Sequence, residues 1–250
     1  MPAQETLSSS APAPIHPLLW RGSQLAHASR PCLDTGYPEL SRSLPGGGWP
    51  LGSLTELLLP QPGIGEVRLL LPALRQVPAG RSIVLLHPPH VPCAQAWMAY
   101  RIPIGQLLWI APGREGDALW AAEQILKHGS CGALLCWSSH PHAAALRRLH
   151  LAAQSGDTAF FMFRPIQAAR ASSPAPLRLQ LEAAGGHLRI EVLKRRGPRP
   201  DAPLLLPLAA FSPAGKTGRV PLSSEPRHAF VDRHLSDPAQ PRRPEPALAG

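Results

Sequence analysis

One stretch of this chain has the residue spacing of a phosphate-binding loop but not its chemistry. The segment Pro60–Val67 (PQPGIGEV) follows an apolar run and precedes a helical pattern. Strand, glycine-bearing loop and helix is the setting of a nucleotide-binding P-loop, which needs G-x-x-x-x-G-K-[ST]. There the backbone amides cradle phosphates, the lysine neutralises them and the hydroxyl holds magnesium. Here Pro60 stands in place of the first glycine and removes an amide donor. Gly63 and Gly65 remain, but Glu66 replaces the lysine and Val67 the hydroxyl residue. Glu66 sets a negative charge where a triphosphate would sit, and Val67 cannot ligate magnesium. The residues predict a structural strand-to-helix turn with no nucleotide cofactor.

Other groupings carry less chemistry. His87-Pro-Pro-His90 and His140-Pro-His142 have no cysteine or carboxylate at ligand spacing, so no metal site is expected. Ser138-Ser139-His140 ends an apolar run, but no acidic residue is placed beside His140 by sequence, and no G-x-S-x-G elbow is present. No catalytic residue is assigned. Four cysteines form no C-x-x-C pair; Cys131 and Cys136 flank an apolar run and read as small buried hydrophobes. Trp20, Arg21 and Trp49 are candidate partner contacts, because large aromatics and arginine dominate interface hot spots. Trp109, inside QLLWIA, reads as core.

These residues need a scaffold, and the hydrophobic pattern indicates one. Apolar runs at Leu54–Leu59, Ser82–Leu86, Gln106–Ala111, Gly132–Trp137 and Thr158–Phe163 alternate with helical spacing at Gly65–Val77, Cys93–Tyr100, Asp117–His128 and Pro141–Gln154. Strands apolar throughout and separated by helices predict an α/β fold: a mostly parallel sheet covered on both faces. Leu177–Glu182 and Leu188–Lys194 flank Gly185-Gly186 and predict an antiparallel hairpin added to that sheet. The expected organisation is a disordered N-terminus at 1–14, a helical segment at 15–34, one domain at 35–194 and a mostly disordered tail at 195–250. That tail holds eleven prolines, with nine basic residues against five acidic ones. The net charge of +9 fits a polyanionic or acidic partner, DNA among them. No apolar run reaches the roughly 20 residues of a membrane span. A cytoplasmic, reduced location is expected.

Several blocks resemble a known family. TGYPELSRSLPGGGWPLGSLTEL (from Thr35) is similar to the segment of RecA that leads into its P-loop strand, and the likeness runs from Thr35 to about Lys194. Among RecA-like proteins, HPLLWRGSQLA (His16–Ala26), LPGGGWPLGSLTELL (Leu44–Leu58), PGIGEVRLLLPAL (Pro62–Leu74) and LHPPHVPCAQA (Leu86–Ala96) resemble the ImuA family of translesion-synthesis accessory proteins, also described as SulA/RecA-like. The resemblance implies a RecA-like sheet. It puts RecA's P-loop lysine and threonine on Glu66 and Val67, its water-activating glutamate near Pro89, its Walker B acid near Trp137 and its nucleotide-sensing glutamine near Arg164. All are replaced by residues unable to do phosphoryl transfer. RecA's second DNA-binding loop falls on RPIQAARASSPAP, where Arg164 and Arg170 are candidates for phosphate contact. The implied role is non-catalytic: an accessory protein of damage-induced mutagenesis that binds RecA or ImuB, the inactive polymerase relative, and serves a DnaE-type error-prone polymerase, with DNA contacted directly or through these partners. A reading of another class is a SulA-type cell-division inhibitor that binds FtsZ. A third, an active recombinase, is opposed by Glu66.

Overall fold

The computed structural model describes residues 31–208. The expected alternation of strand and helix is what forms. In chain order the elements are β1 (Cys32–Leu33), α1 (Pro38–Ser43), β2 (Trp49–Pro50), β3 (Ser53–Leu59), α2 (Glu66–Leu74), β4 (Ser82–Leu86), α3 (Ala94–Ala99), β5 (Leu107–Ile110), α4 (Glu115–His128), β6 (Cys131–Trp137), α5 (Ala143–Ala153), β7 (Ala159–Pro165), β8 (Leu177–Ala184), β9 (His187–Lys194) and β10 (Leu204–Pro207). The glycines predicted to turn the hairpin do so: Gly185 and Gly186 both have positive φ, 54° and 81°.

Among the described residues, eight strands pair in the order β10-β9-β8-β3-β7-β6-β4-β5. The six from β8 to β5 run parallel, while β9 is antiparallel to both its neighbours. This is an α/β sheet of RecA-like type with an antiparallel hairpin at its C-terminal end. From β3 the chain steps outward to β4 and β5, then returns through β6 and β7 to the side of β3. Right-handed crossovers then place the outward helices on one face and the returning helices on the other. The packing agrees. Leu69, Leu70 and Leu74 of α2 and Trp97 of α3 bury against Ile83, Leu85, Leu135, Phe161 and Phe163. Ala118, Ala122 and Leu126 of α4 and Leu146 and Leu149 of α5 bury against Val84, Leu134, Cys136, Phe160 and Met162. Alternate strand residues thus serve opposite cores. Cys131 and Cys136 are buried, and burial pushes the Cys136 thiol up to about 12.

Several sequence expectations are corrected. Trp49 is not an interface anchor; it is fully buried, edge-on to Phe161 with ring centroids 5.4 Å apart. Trp109 is not core: it lies on β5, the edge strand, and is half exposed. The sheet does not end at 194, since Leu204–Pro207 pairs with β9 through Leu204↔Ile190 and Leu206↔Leu188. Residues 32–33, expected in a helical segment, form a strand paired with β2. Trp20 and Arg21, the N-terminal 1–14 and the basic tail beyond 208 lie outside the described residues. No helix among the described residues is long and apolar enough to cross a membrane.

Candidate functional site

Open parallel sheets bind ligands beyond the carboxyl ends of their strands, where neighbouring loops turn to opposite faces. Here the loops after β3 and β4 turn to one face and those after β6 and β7 to the other. Between them lies a crevice of about 370 Å³ lined by Leu59–Pro62, His87–Pro89, Trp137–Ser139 and Phe163–Pro165. The positions that the RecA likeness singled out, Pro89, Trp137 and Arg164, therefore meet around the degenerate loop. They bring no carboxylate, amide or ammonium group suited to nucleotide chemistry. Trp137 stacks on Phe163 at 4.4 Å. His87 holds a left-handed φ of 54°, costly for a residue with a Cβ, and its N–H donates to the Ile110 carbonyl at 2.7 Å. A second, more apolar hollow of about 260 Å³ adjoins the loop, with Val67, Val91, Trp97 and Tyr100 among its walls.

The loop itself is closed. Gly63 and Gly65 adopt φ of 87° and 111°, which turns their amides inward. The Glu66 side chain folds back into this hollow and is buried. Gly63 N–H donates to both its carboxylate oxygens, at 2.9 and 3.1 Å, and Gly65 N–H donates to Oε2 at 3.1 Å. Val67 lines the apolar hollow. From outside, Leu208 packs so closely that a Cβ at Gly65 would lie 2.4 Å from its Cδ1, and Arg68 donates to the Leu208 carbonyl at 3.2 Å.

Beside the loop, β3 carries a charge hidden within its apolar run. Glu56 is fully buried. It accepts hydrogen bonds from Arg164 Nη1 at 3.0 Å, Arg178 Nε at 2.6 Å and Ser173 Oγ at 2.8 Å. Arg178 also donates to the carbonyls of Ala168 and Ala171, and Lys194 Nζ donates to that of Ser173. The connection between β7 and β8, where RecA's second DNA-binding loop would fall, is thus pinned to the sheet. Arg164 is committed to Glu56 and buried, so it is not the phosphate contact expected from sequence; Arg170 is exposed. Sequence reasoning missed this cluster, although its signal was present: a lone acid inside SLTELLL and lone arginines in FFMFRP and LRLQL. Single charges in otherwise apolar strands must find one another once buried.

The acid missing beside His140 is Glu115, at the start of α4. Its carboxylate accepts from Ser138 Oγ at 2.5 Å and from the His140 backbone N–H at 3.0 Å. Burial raises its pKa, but the hydrogen bonds from Ser138 and from the His140 and Ser139 amides, with the nearby His140 ring, outweigh this and hold it below the usual carboxylate value. The carboxylate meets the serine hydroxyl and the backbone, without an imidazole between, so this is a loop clasp and not a hydrolytic triad. Among the described residues, no three His, Cys, Asp or Glu side chains group to hold a metal ion.

No protein-family model matches the chain. Among curated proteins it is similar to the cell division inhibitor SulA of Edwardsiella piscicida, 28% identical over 109 residues. The match covers 43% of this chain and 65% of that protein, just under two thirds of its length. It supports a SulA-like relationship.

Proposed function

We propose that this chain is a non-catalytic protein of the DNA-damage (SOS) response that works by binding partners, and that its role is accessory to translesion synthesis. The observation that carries the reading is the loop after β3: a RecA-like sheet keeps the position of the phosphate cradle, while Glu66 takes its amides and Val67 replaces the magnesium ligand. Phosphoryl transfer needs positioned cations around the phosphates, and the lining of this crevice holds His87 and an Arg164 paired with Glu56 but no lysine. What remains useful is surface. A RecA-like body docks on RecA or on ImuB through contacts of the RecA subunit type and brings in a DnaE-type error-prone polymerase. The resemblance to ImuA supports this choice of partners. Deletion of the gene is expected to lower damage-induced mutation frequency, and recovery of RecA, ImuB or the polymerase with the tagged chain from damaged cells is expected. An unchanged mutation frequency overturns the reading.

A second reading is favoured by the likeness to SulA: a cell-division inhibitor that binds FtsZ after DNA damage. Overproduction then yields filamentous cells, and FtsZ is recovered in place of the mutagenesis proteins.

A further inference from the structure

Two left-handed glycines at the N-terminus of a nine-residue helix, α2, form a nest of inward amides with the helix dipole behind it. Such a nest is built for an anion. This chain fills it from within. The Glu66 carboxylate makes three contacts of 2.9–3.1 Å to the Gly63 and Gly65 amides, within the range of N–H···O hydrogen bonds. Glu66 is 4% exposed, so the carboxylate sits inside the loop and not on its rim. Leu208 packs on Gly65, whose φ of 111° is one that residues with a side chain rarely adopt.

We propose that Glu66 is a resident phosphate surrogate, holding the loop in its anion-bound shape so that the crevice face stands ready for partners with no nucleotide to load or hydrolyse. A nucleotide-dependent loop changes shape with the ligand that fills it; a loop whose anion is covalently part of the chain has one state. The charge also excludes competitors, since a phosphate would have to displace the carboxylate while facing its repulsion. The proposal rests on the reading of this chain as a binding protein without ATPase function, but its test is separate.

Pyrophosphate is the probe, added to the purified full chain at matched ionic strength, with binding followed by calorimetry and by thermal unfolding. The wild-type chain is expected to bind weakly and to keep its Tm. Glu66→Ala frees the amides, lowers Tm without ligand, and is expected to bind pyrophosphate on the order of ten- to a hundredfold more tightly than wild type, with Tm recovering as ligand is added. Glu66→Gln keeps the shape and removes the charge, so it should respond in the same direction by a smaller factor; it decides the matter should the alanine variant not fold. A folded variant that loses stability but ignores pyrophosphate shows that Glu66 merely caps α2 and overturns the proposal. So does a wild-type chain that binds as tightly as the variants. A gain of binding in Glu66→Ala alongside an unchanged mutation frequency on gene deletion removes the functional reading and leaves the surrogate standing.

Discussion

Two tryptophans show how much position outweighs residue type. Trp49 lies on β2, which pairs with β1 in a small two-stranded sheet of its own, and its ring is buried in the larger core, edge-on to Phe161. Trp109 sits in a more apolar stretch, yet on an edge strand that leaves it 49% exposed. Trp49→Ala should therefore cost about 3–5 kcal/mol, the range for truncating a buried tryptophan. Trp109→Ala should stay within about 0.5 kcal/mol, as surface substitutions do. Urea unfolding of the two variants tests the contrast, and equal losses would refute the assignment of the edge. Residue type alone made Trp109 look like core and Trp49 like an anchor, because an aromatic in an apolar run reads the same on an edge strand as on a central one.

At the level of elements, the connection between β7 and β8 depends on the buried charges beneath it. It contains no helix longer than the single 3₁₀ stretch Ile166–Arg170, so it brings little apolar surface to the sheet. Glu56 on β3, Arg164 on β7 and Arg178 on β8 lie on adjacent strands, with Leu58 opposite Arg164 and Glu56 opposite Arg178 in register. Arg178 joins that ion cluster to the carbonyls of the connection. Arg178→Met leaves Glu56 paired with Arg164 but removes the hydrogen bond to Oε2 and those to the carbonyls of Ala168 and Ala171, so it should destabilise by about 1–3 kcal/mol. It should also raise amide exchange across 166–175 before the rest of the sheet, a readout that a uniform loss of stability would not give. The parallel strands and the hairpin were legible, to within two residues at each end, from apolar runs and glycine turns, whereas β1, β2 and β10 were not. The pairing of Glu56 with two arginines more than a hundred residues further along the chain was not. A local pattern shows that a buried charge needs a partner but not which strand brings it.

For the molecule as a whole, stability against acid reflects where carboxylates are held. Glu115 clasps the loop after β6, and its pKa is lowered in the folded state relative to the ordinary 4.5. Asp157 is lowered as well, chiefly by the hydrogen bond from Arg81 at 2.7 Å. A carboxyl whose folded pKa is depressed adds stability that is complete above its unfolded value and is lost as pH falls through the folded one. Unfolding free energy should thus decline below about pH 4.5. Glu115→Gln should flatten part of that decline while changing little of its slope at neutral pH, measured by denaturant titration across the acid range. An identical acid limb in variant and wild type would show that the clasp contributes nothing.

The sequence by itself determined the α/β class, the parallel strands to within two residues, the hairpin and the loss of phosphate-binding residues after β3. Each of these is local: an apolar run, a glycine pair, a substituted motif. Only the tertiary structure decided that Glu66 turns back onto the amides of its own loop, that Leu208 closes over Gly65, that Glu115 reaches Ser138, and which tryptophan is inside. Those outcomes depend on strand order and on side-chain direction, and neither is encoded in the spacing of neighbouring residues. The sequence shows an acid at the position of the P-loop lysine. That the same acid satisfies the loop follows from the left-handed glycines and the burial around it, which exist only once β3, α2 and β10 have come together.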